Sequence, residues 1–328
     1  MDYKDIQDST FLVSGGAGFI GSHIAKRLLH LGAKKVKVID NLSTGNKKNV
    51  QECYSYSSFE FVEADIRDLA SCISICSSVD YVFHQAALGS VPRSFNDPVT
   101  TNAVNTDGFL NMLQAAKLAN VRRFIYASSS SVYGDSAQLP KVEEQIGMPI
   151  SPYAVSKYTN ELYAHVFTLN SGMETIGLRY FNVFGPHQNP NGAYAAVIPL
   201  FVNAVINGIS PTINGDGKQT RDFTYVENVV DANLNALIAK NYNKLQKVFN
   251  VATGNQFTVL NMLNELNSIA NKQIKPNFND SRSGDITNSL ASIEKATQYL
   301  GYNPKISFKE GLKRTYQWFK EHPHFFTN

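Results

Sequence analysis

Tyr153 and Lys157 stand four residues apart in the stretch Ser-Pro-Tyr-Ala-Val-Ser-Lys, residues 151–157. On a helix such positions share a face, so a phenol and an ammonium converge on one point. A free tyrosine loses its proton at about pH 10. A nearby lysine charge favours the phenolate and lowers that value. The pair can then take and return a proton near neutrality, which hydride transfer to or from a carbinol carbon requires. Just upstream, Arg-Phe-Ile-Tyr-Ala-Ser at 123–128 reads as a buried strand ending in hydroxyls, and Ser129 is placed to bind the same substrate oxygen. Alone, Tyr-x-x-x-Lys also describes a surface lysine beside a half-buried tyrosine.

A helix must carry the pair, and Ser151-Pro152 is a helix start: a capping residue, then proline in the first turn. A second signature lies near the N-terminus. The apolar run Phe11–Ser14 leads into Gly15-Gly16-Ala17-Gly18-Phe19-Ile20-Gly21. Glycines at 15, 18 and 21 fit a tight strand-to-helix turn whose backbone approaches a pyrophosphate at a helix N-terminus. Ile20, Ile24, Leu28 and Leu31 follow at helical spacing, and Gly32 is placed to end that helix. The next strand, Lys35–Asp40, ends in an acid that can accept hydrogen bonds from an adenosine ribose and repels a 2′-phosphate, which points to NAD.

Further strands are read at 59–63, 79–85 and 174–180, and a long helix from Asp97-Pro98 to about Leu118. Such alternation predicts an α/β fold, a Rossmann-like doubly wound parallel sheet, with ligands beyond the C-terminal strand ends. Gly15, Asp40, Asp65, Ala86, Ser129 and Asn182 all fall there. His84, at a strand end, is read as structural. Beyond Gly185 the texture changes to Asn/Pro-rich loop and helices, a smaller, mostly helical C-terminal substrate domain. The boundaries are 1–185 for the cofactor domain, with about 222–252 returning to it, and 186–221 plus 253–328 for the substrate domain.

The formal net charge of +3 without a basic block argues against nucleic acid as a partner. No apolar run approaches the roughly 20 residues of a membrane span. Met1–Thr10 is polar and acidic, and Cys53, Cys72 and Cys76 form no disulfide framework or metal cluster. A cytoplasmic protein without a metal is the expectation.

The glycine turn, the serine cluster and Tyr153-x-x-x-Lys157 together resemble the extended short-chain dehydrogenase/reductase superfamily, and within it the nucleotide-sugar C4 epimerases, over nearly the whole chain to about Gly301. The resemblance implies NAD held by Gly15, Gly18, Phe19, Ile20, Gly21, Asp40, Asn41, Asp65, Ile66, Gln85, Ala86, Ala87, Asn105, Ser128, Tyr153, Lys157 and Tyr180. It implies a UDP-sugar held by Ser90, Ser129, Ser130, Asn182, Gln188, Arg221, Arg282, Asp285 and Ser289, with Ala196, Val197, Thr212 and Asn214 around the uridine. Arg221 and Arg282 suit forked bonds to phosphate. The family also pairs the helices at about 98–118 and 152–171 across a two-fold axis into a four-helix bundle, so a homodimer is expected.

Relatives that eliminate water carry an Asp-Glu pair where this chain has Ser130 and Ser131. Without those carboxylates, Ser129, Tyr153, Lys157 and a nicotinamide suffice for C4 epimerisation: oxidation to a 4-keto sugar, rotation about the pyrophosphate tether and reduction on the other face. Polysaccharide precursor supply would be the use. In the resembling epimerases a Tyr at the place of Ser289 restricts the pocket to plain hexoses. Serine there favours UDP-GlcNAc/UDP-GalNAc, or their C6-oxidised uronic acids, over UDP-Glc/UDP-Gal.

Overall fold

The computed structural model describes residues 3–190, 196–240, 247–280 and 288–326. Seven short, mostly buried strands form its central sheet: β1 (Thr10–Ser14), β2 (Lys35–Asp40), β3 (Phe59–Glu63), β4 (Tyr81–His84), β5 (Arg123–Ser129), β6 (Glu174–Tyr180) and β7 (Val248–Val251). Their order is β7-β6-β5-β4-β1-β2-β3 and every pairing is parallel. Strand β1 therefore lies between β2 and β4, and the chain leaves the sheet in opposite directions on its two sides. A crevice opens above that point.

Helices cover both faces, as a parallel sheet requires. On one face lie α1 (Phe19–His30) and, from late in the chain, Val226–Ile238, sharing a core with Phe11, Val13, Ile125 and Phe249. The other face holds α2 (Leu69–Cys76), α3 (Gly108–Leu118) and α4 (Pro152–Ser171), with Leu12, Val82, Phe109 and Phe124 between. The long helix read from 98 to 118 is interrupted: Pro98–Asn102 is α-helical, Ala103–Asp107 is a π turn, and α3 follows. Ser151 caps α4 by accepting the Ala154 N–H at 3.1 Å, with Pro152 in its first turn, and Gly172 ends it at φ +71°.

A third core belongs to the later chain: α5 (Val197–Asn207), α6 (Val226–Ile238), α7 (Val259–Ala270) and α8 (Phe308–Glu321) gather Phe184, Phe201, Phe223, Met262 and Phe319. Among the described residues no helix is long and apolar enough to cross a membrane.

Asp222 pins this later part to the sheet. It is fully buried and accepts the Thr253 N–H and hydroxyl, the Gly254 N–H and, at 3.5 Å, the Ala291 N–H. Three of these donors sit in the turn just past β7. Removing the carboxylate takes the acceptor from four donors, most of them partly buried, at about 1 kcal/mol each. Asp222→Ala should therefore lose at least about 3 kcal/mol, seen in urea unfolding as a lower midpoint at unchanged slope.

Candidate active site

The crevice is a cleft of about 580 Å³ running from the β2 and β3 ends, over the first βα turn, to the end of β5 and the start of α4. Its floor depends on Gly15, at φ +66°, where a Cβ would lie 2.6 Å from the Ala86 nitrogen. At Gly21 a Cβ would sit 2.2 Å from the Gly15 carbonyl oxygen. A side chain at 15 would push the turn off the β4 end, and one at 21 would push the helix off the turn. Helix α1 begins at this turn with no capping side chain and no acid in its first turn, so its leading N–H groups face the cleft as an anion site.

At one end of the cleft Asp40, only 8% exposed, accepts the Ala17 N–H at 2.9 Å and the Leu42 N–H at 2.8 Å. Burial raises its pKa and these N–H groups oppose the rise. Beside it Asp65 is held by the Arg67 guanidinium and the Asn41 amide, and the Arg67 hydrogen bond leads in bringing its pKa down to about 2. An acid at the end of β2 suits a ribose diol. The bare helix N-terminus suits a pyrophosphate, so these residues fit a dinucleotide.

At the other end Lys157 is 1% exposed, and its Nζ donates to the Ala127 carbonyl at 2.9 Å. The ammonium lies 6.0 Å from the Tyr153 ring centroid. Burial brings its pKa down to about 8. The Tyr153 phenol departs from the sequence expectation: its pKa is raised by burial, with only the Ser129 hydroxyl opposing the rise. Desolvation of the phenolate outweighs the stabilisation that the Ser129 hydroxyl gives it. Ser129 in turn is bonded to Ser131.

Of the residues assigned above to the dinucleotide, sixteen of seventeen line this cleft. The exception is Asn105. Its amide is spent on the Leu88 N–H, the Leu88 carbonyl and the Ser156 hydroxyl, so it clamps the loop after β4 from behind. Ser128 lines the cleft, but its hydroxyl donates to Glu161. His84 is buried, bonded to the Ser14 hydroxyl at 2.8 Å and brought down to a pKa of about 3 by burial, so it is a neutral structural residue.

Among the residues assigned to the sugar nucleotide, Ser129, Ser130, Asn182 and Gln188 line the cleft. One Asn182 donor is taken by the Asp222 carbonyl. Gln188 donates to the Val183 carbonyl, leaving its buried Oε1 without a partner. Ser90 caps the short helix Val91–Asn96 by accepting the Arg93 N–H at 3.2 Å and does not line the cleft. Neither do Ala196, Val197, Thr212 or Asn214, which stand at the start of α5 and on the short strand Thr212–Asn214. Arg221 and Ser289 also lie off the cleft, close to each other: the Ser289 N–H donates to the carbonyl of Thr220 at 3.1 Å. Arg282 and Asp285 fall outside the described residues.

Sequence reasoning missed the frame behind the serines. Glu161 takes two bonds from the buried Arg179 at 2.9 and 2.8 Å. Arg179 also donates to the Glu143 carbonyl and stacks 4.8 Å from the Tyr133 ring. Glu161 stands one turn beyond Lys157, the one cue to its role.

A family model described as the NAD dependent epimerase/dehydratase family matches residues 11–252. The chain belongs to this family. Its cofactor is NAD. A Mycolicibacterium smegmatis UDP-glucose 4-epimerase is 34% identical over 312 residues, 94% of this chain and 98% of that one. The structure of a UDP-N-acetylglucosamine 4-epimerase from Methanobrevibacter ruminantium, in complex with UDP-N-acetylmuramic acid, superposes with a TM-score of 0.90 at 39% identity, covering 96% and 99% of the two chains. A Bacillus cereus UDP-glucuronic acid 4-epimerase, in complex with UDP-glucuronic acid and NAD, superposes with a TM-score of 0.87 at 32% identity, covering 95% and 99%. In this family member, as in any protein, a lysine held near pKa 8 disfavours folding while it stays protonated. The cost is full below about pH 8 and fades toward the unfolded value of about 10.4. Lys157→Met should therefore raise the melting temperature at pH 6 and have little such effect at pH 10.5, by differential scanning calorimetry.

Proposed function

We propose that this protein is an NAD-dependent UDP-sugar 4-epimerase that prefers UDP-N-acetylhexosamines, UDP-GlcNAc and UDP-GalNAc, or their C6 uronic acids. The observation that carries the reading is the make-up of the cleft around Tyr153. Its wall there is hydroxyl, at Ser129, Ser130 and Ser131, and among the described residues the acids lining the cleft, Asp40 and Asp65, lie at the far end. Eliminating water needs an acid and a base beside the sugar; oxidation and re-reduction at one carbon need a single proton relay. Accepting a hydride and returning it is the chemistry that NAD supplies when bound. Tyr153 takes the C4 hydroxyl proton and gives it back, Ser129 binds the same oxygen, and Lys157 holds positive charge beneath them.

Size supports the acetamido preference. The facing loop, Ala86-Ala87-Leu88-Gly89, is lean in bulk. Gln188 lines the cleft within reach of a sugar, where its side chain can turn to bond an acetamido group or a hydroxyl. Ser289, beside Thr220, stands by the family resemblance where plain-hexose epimerases carry a bulkier tyrosine. We assign residues 1–185 and about 222–252 to the cofactor and residues 186–221 and 253–328 to the sugar nucleotide. Side-by-side kcat/KM values test the substrate. UDP-GlcNAc should exceed UDP-Glc, and Ser289→Tyr should lower the former by about a hundredfold while sparing the latter. Better turnover of UDP-Glc by the native protein would instead make it a plain hexose epimerase.

We also propose a homodimer. Val155, Leu162, Val166 and Leu169 form a stripe along α4, each about half exposed, with Phe95 and Val99 exposed nearby. Phe109, Met112 and Leu113 of α3, by contrast, are wholly buried against the sheet. Such an exposed apolar stripe is what a helical bundle interface covers. Light scattering at micromolar concentration should give twice 36.3 kDa, falling to the single mass in Leu162→Arg/Val166→Arg. A native monomer would contradict the dimer.

A further inference from the structure

Ser131 lines the cleft, yet the reaction as proposed gives it no task. Its contacts suggest one. Strand β5 ends at Ser129, and Ser130–Tyr133 form a single tight turn that folds residue 131 back over it. The Ser129 Oγ accepts the Ser131 backbone N–H at 3.2 Å and the Ser131 hydroxyl at 2.9 Å. A serine hydroxyl has one proton and two acceptor sites. Both acceptor sites of Ser129 are therefore filled from one neighbouring residue, and its proton must leave in the remaining direction. Ser129 and Tyr153 line the same part of the cleft, and the Ser129 hydroxyl opposes the burial-driven rise of the phenol's pKa.

We propose that Ser131 is a positioning residue that keeps Ser129 a hydrogen-bond donor toward the Tyr153 oxygen and the substrate oxygen. The inference rests on the epimerase reading for its kinetic consequence, not for its geometry. The competing arrangement shows why donor direction matters. If an acceptor site on Ser129 were free, the Tyr153 O–H could donate into it. That bond would hold the phenol in its protonated form, the wrong state for taking a proton from the sugar. With both sites filled, Tyr153 can only accept from Ser129. Donation to the phenolate favours the base, and donation to a carbonyl oxygen favours the 4-keto sugar. The bond from Ser131 thus biases one hydroxyl toward both charged or polarised oxygens of the cycle. A carboxylate at this position, as in the water-eliminating relatives, would draw the Ser129 proton toward itself.

Two measurements test this. In kinetics, Ser131→Ala should lower kcat about tenfold, less than the hundredfold or more lost with a direct donor, while KM stays within about twofold. Activity rises with pH as Tyr153 ionises, so the acidic limb of kcat/KM should move to higher pH. Ser131→Thr keeps a hydroxyl and should restore both. Ser131→Cys keeps the volume with a weak donor and should behave as alanine. In a Ser129→Ala background, Ser131→Ala should cost nothing further. Independently of activity, NMR of protein labelled with [13Cζ]tyrosine, with the Tyr153 resonance identified by Tyr153→Phe, should show its titration moved upward in Ser131→Ala. The proposal is overturned if that titration stays in place, if the limb does not move, or if the two serine losses add in full. If the native protein epimerises no UDP-sugar, the functional reading fails, and the NMR titration still decides what Ser131 does to Tyr153.

Discussion

A buried ammonium must find an acceptor, and at this site the acceptor is the Ala127 carbonyl near the end of β5. That requirement fixes α4 over the strand end. Tyr153, one turn before Lys157, is then carried to the level of Ser129, so a lysine–carbonyl bond holds the two hydroxyls on one wall of the cleft. One turn further on, Glu161 reaches back to the Ser128 hydroxyl and pairs with Arg179 of β6. A buried ion pair gains little net stability by itself because desolvating both charges is costly. Its effect here is geometric: it ties β5, β6 and α4 together directly behind the reacting groups.

The rest of the cleft follows from the sheet. Because β1 pairs with both β2 and β4, the first βα turn sits where the connections diverge. The turn can approach the β4 end closely only because residue 15 has no side chain. That approach brings the N-terminus of α1, Asp40 and the serine turn onto one surface. Asp222 then closes the arrangement from the other side, holding the turn past β7 and, through its own carbonyl, the Asn182 amide in the cleft wall.

The fold and the dinucleotide end of the site were legible because they rest on local constraints: glycines at fixed offsets, an acid ending a strand, apolar runs alternating with helical spacing. The phenol of Tyr153 was not. Its ionisation depends on how completely the fold removes it from water, and no spacing of residues encodes that. Asn105, read as a cofactor residue, here spends its amide on Leu88 and Ser156: a polar residue on a helix can face the ligand or clamp a loop from behind. The π turn at 103–107 decides which, and nothing in the residues announces it. Glu161 and Arg179 went unread because they lie 18 residues apart on different elements and meet only once β6 pairs with β5.

The serine turn also explains how one frame serves different reactions. Residues 130 and 131 occupy a tight turn whose backbone is fixed by Ser129 capping it and by Tyr133, buried against Phe181 and bonded to Asn250. Side chains at 130 and 131 can change without altering this backbone, while the hydroxyl at 131 acts on Ser129 through its hydrogen bond. With serine at both positions this part of the cleft wall carries hydroxyls and no carboxylate. The make-up of this wall is thus chosen by two side chains on a turn, while the burial, the ion pair and the lysine–carbonyl bond that align Tyr153 and Ser129 rest on other residues.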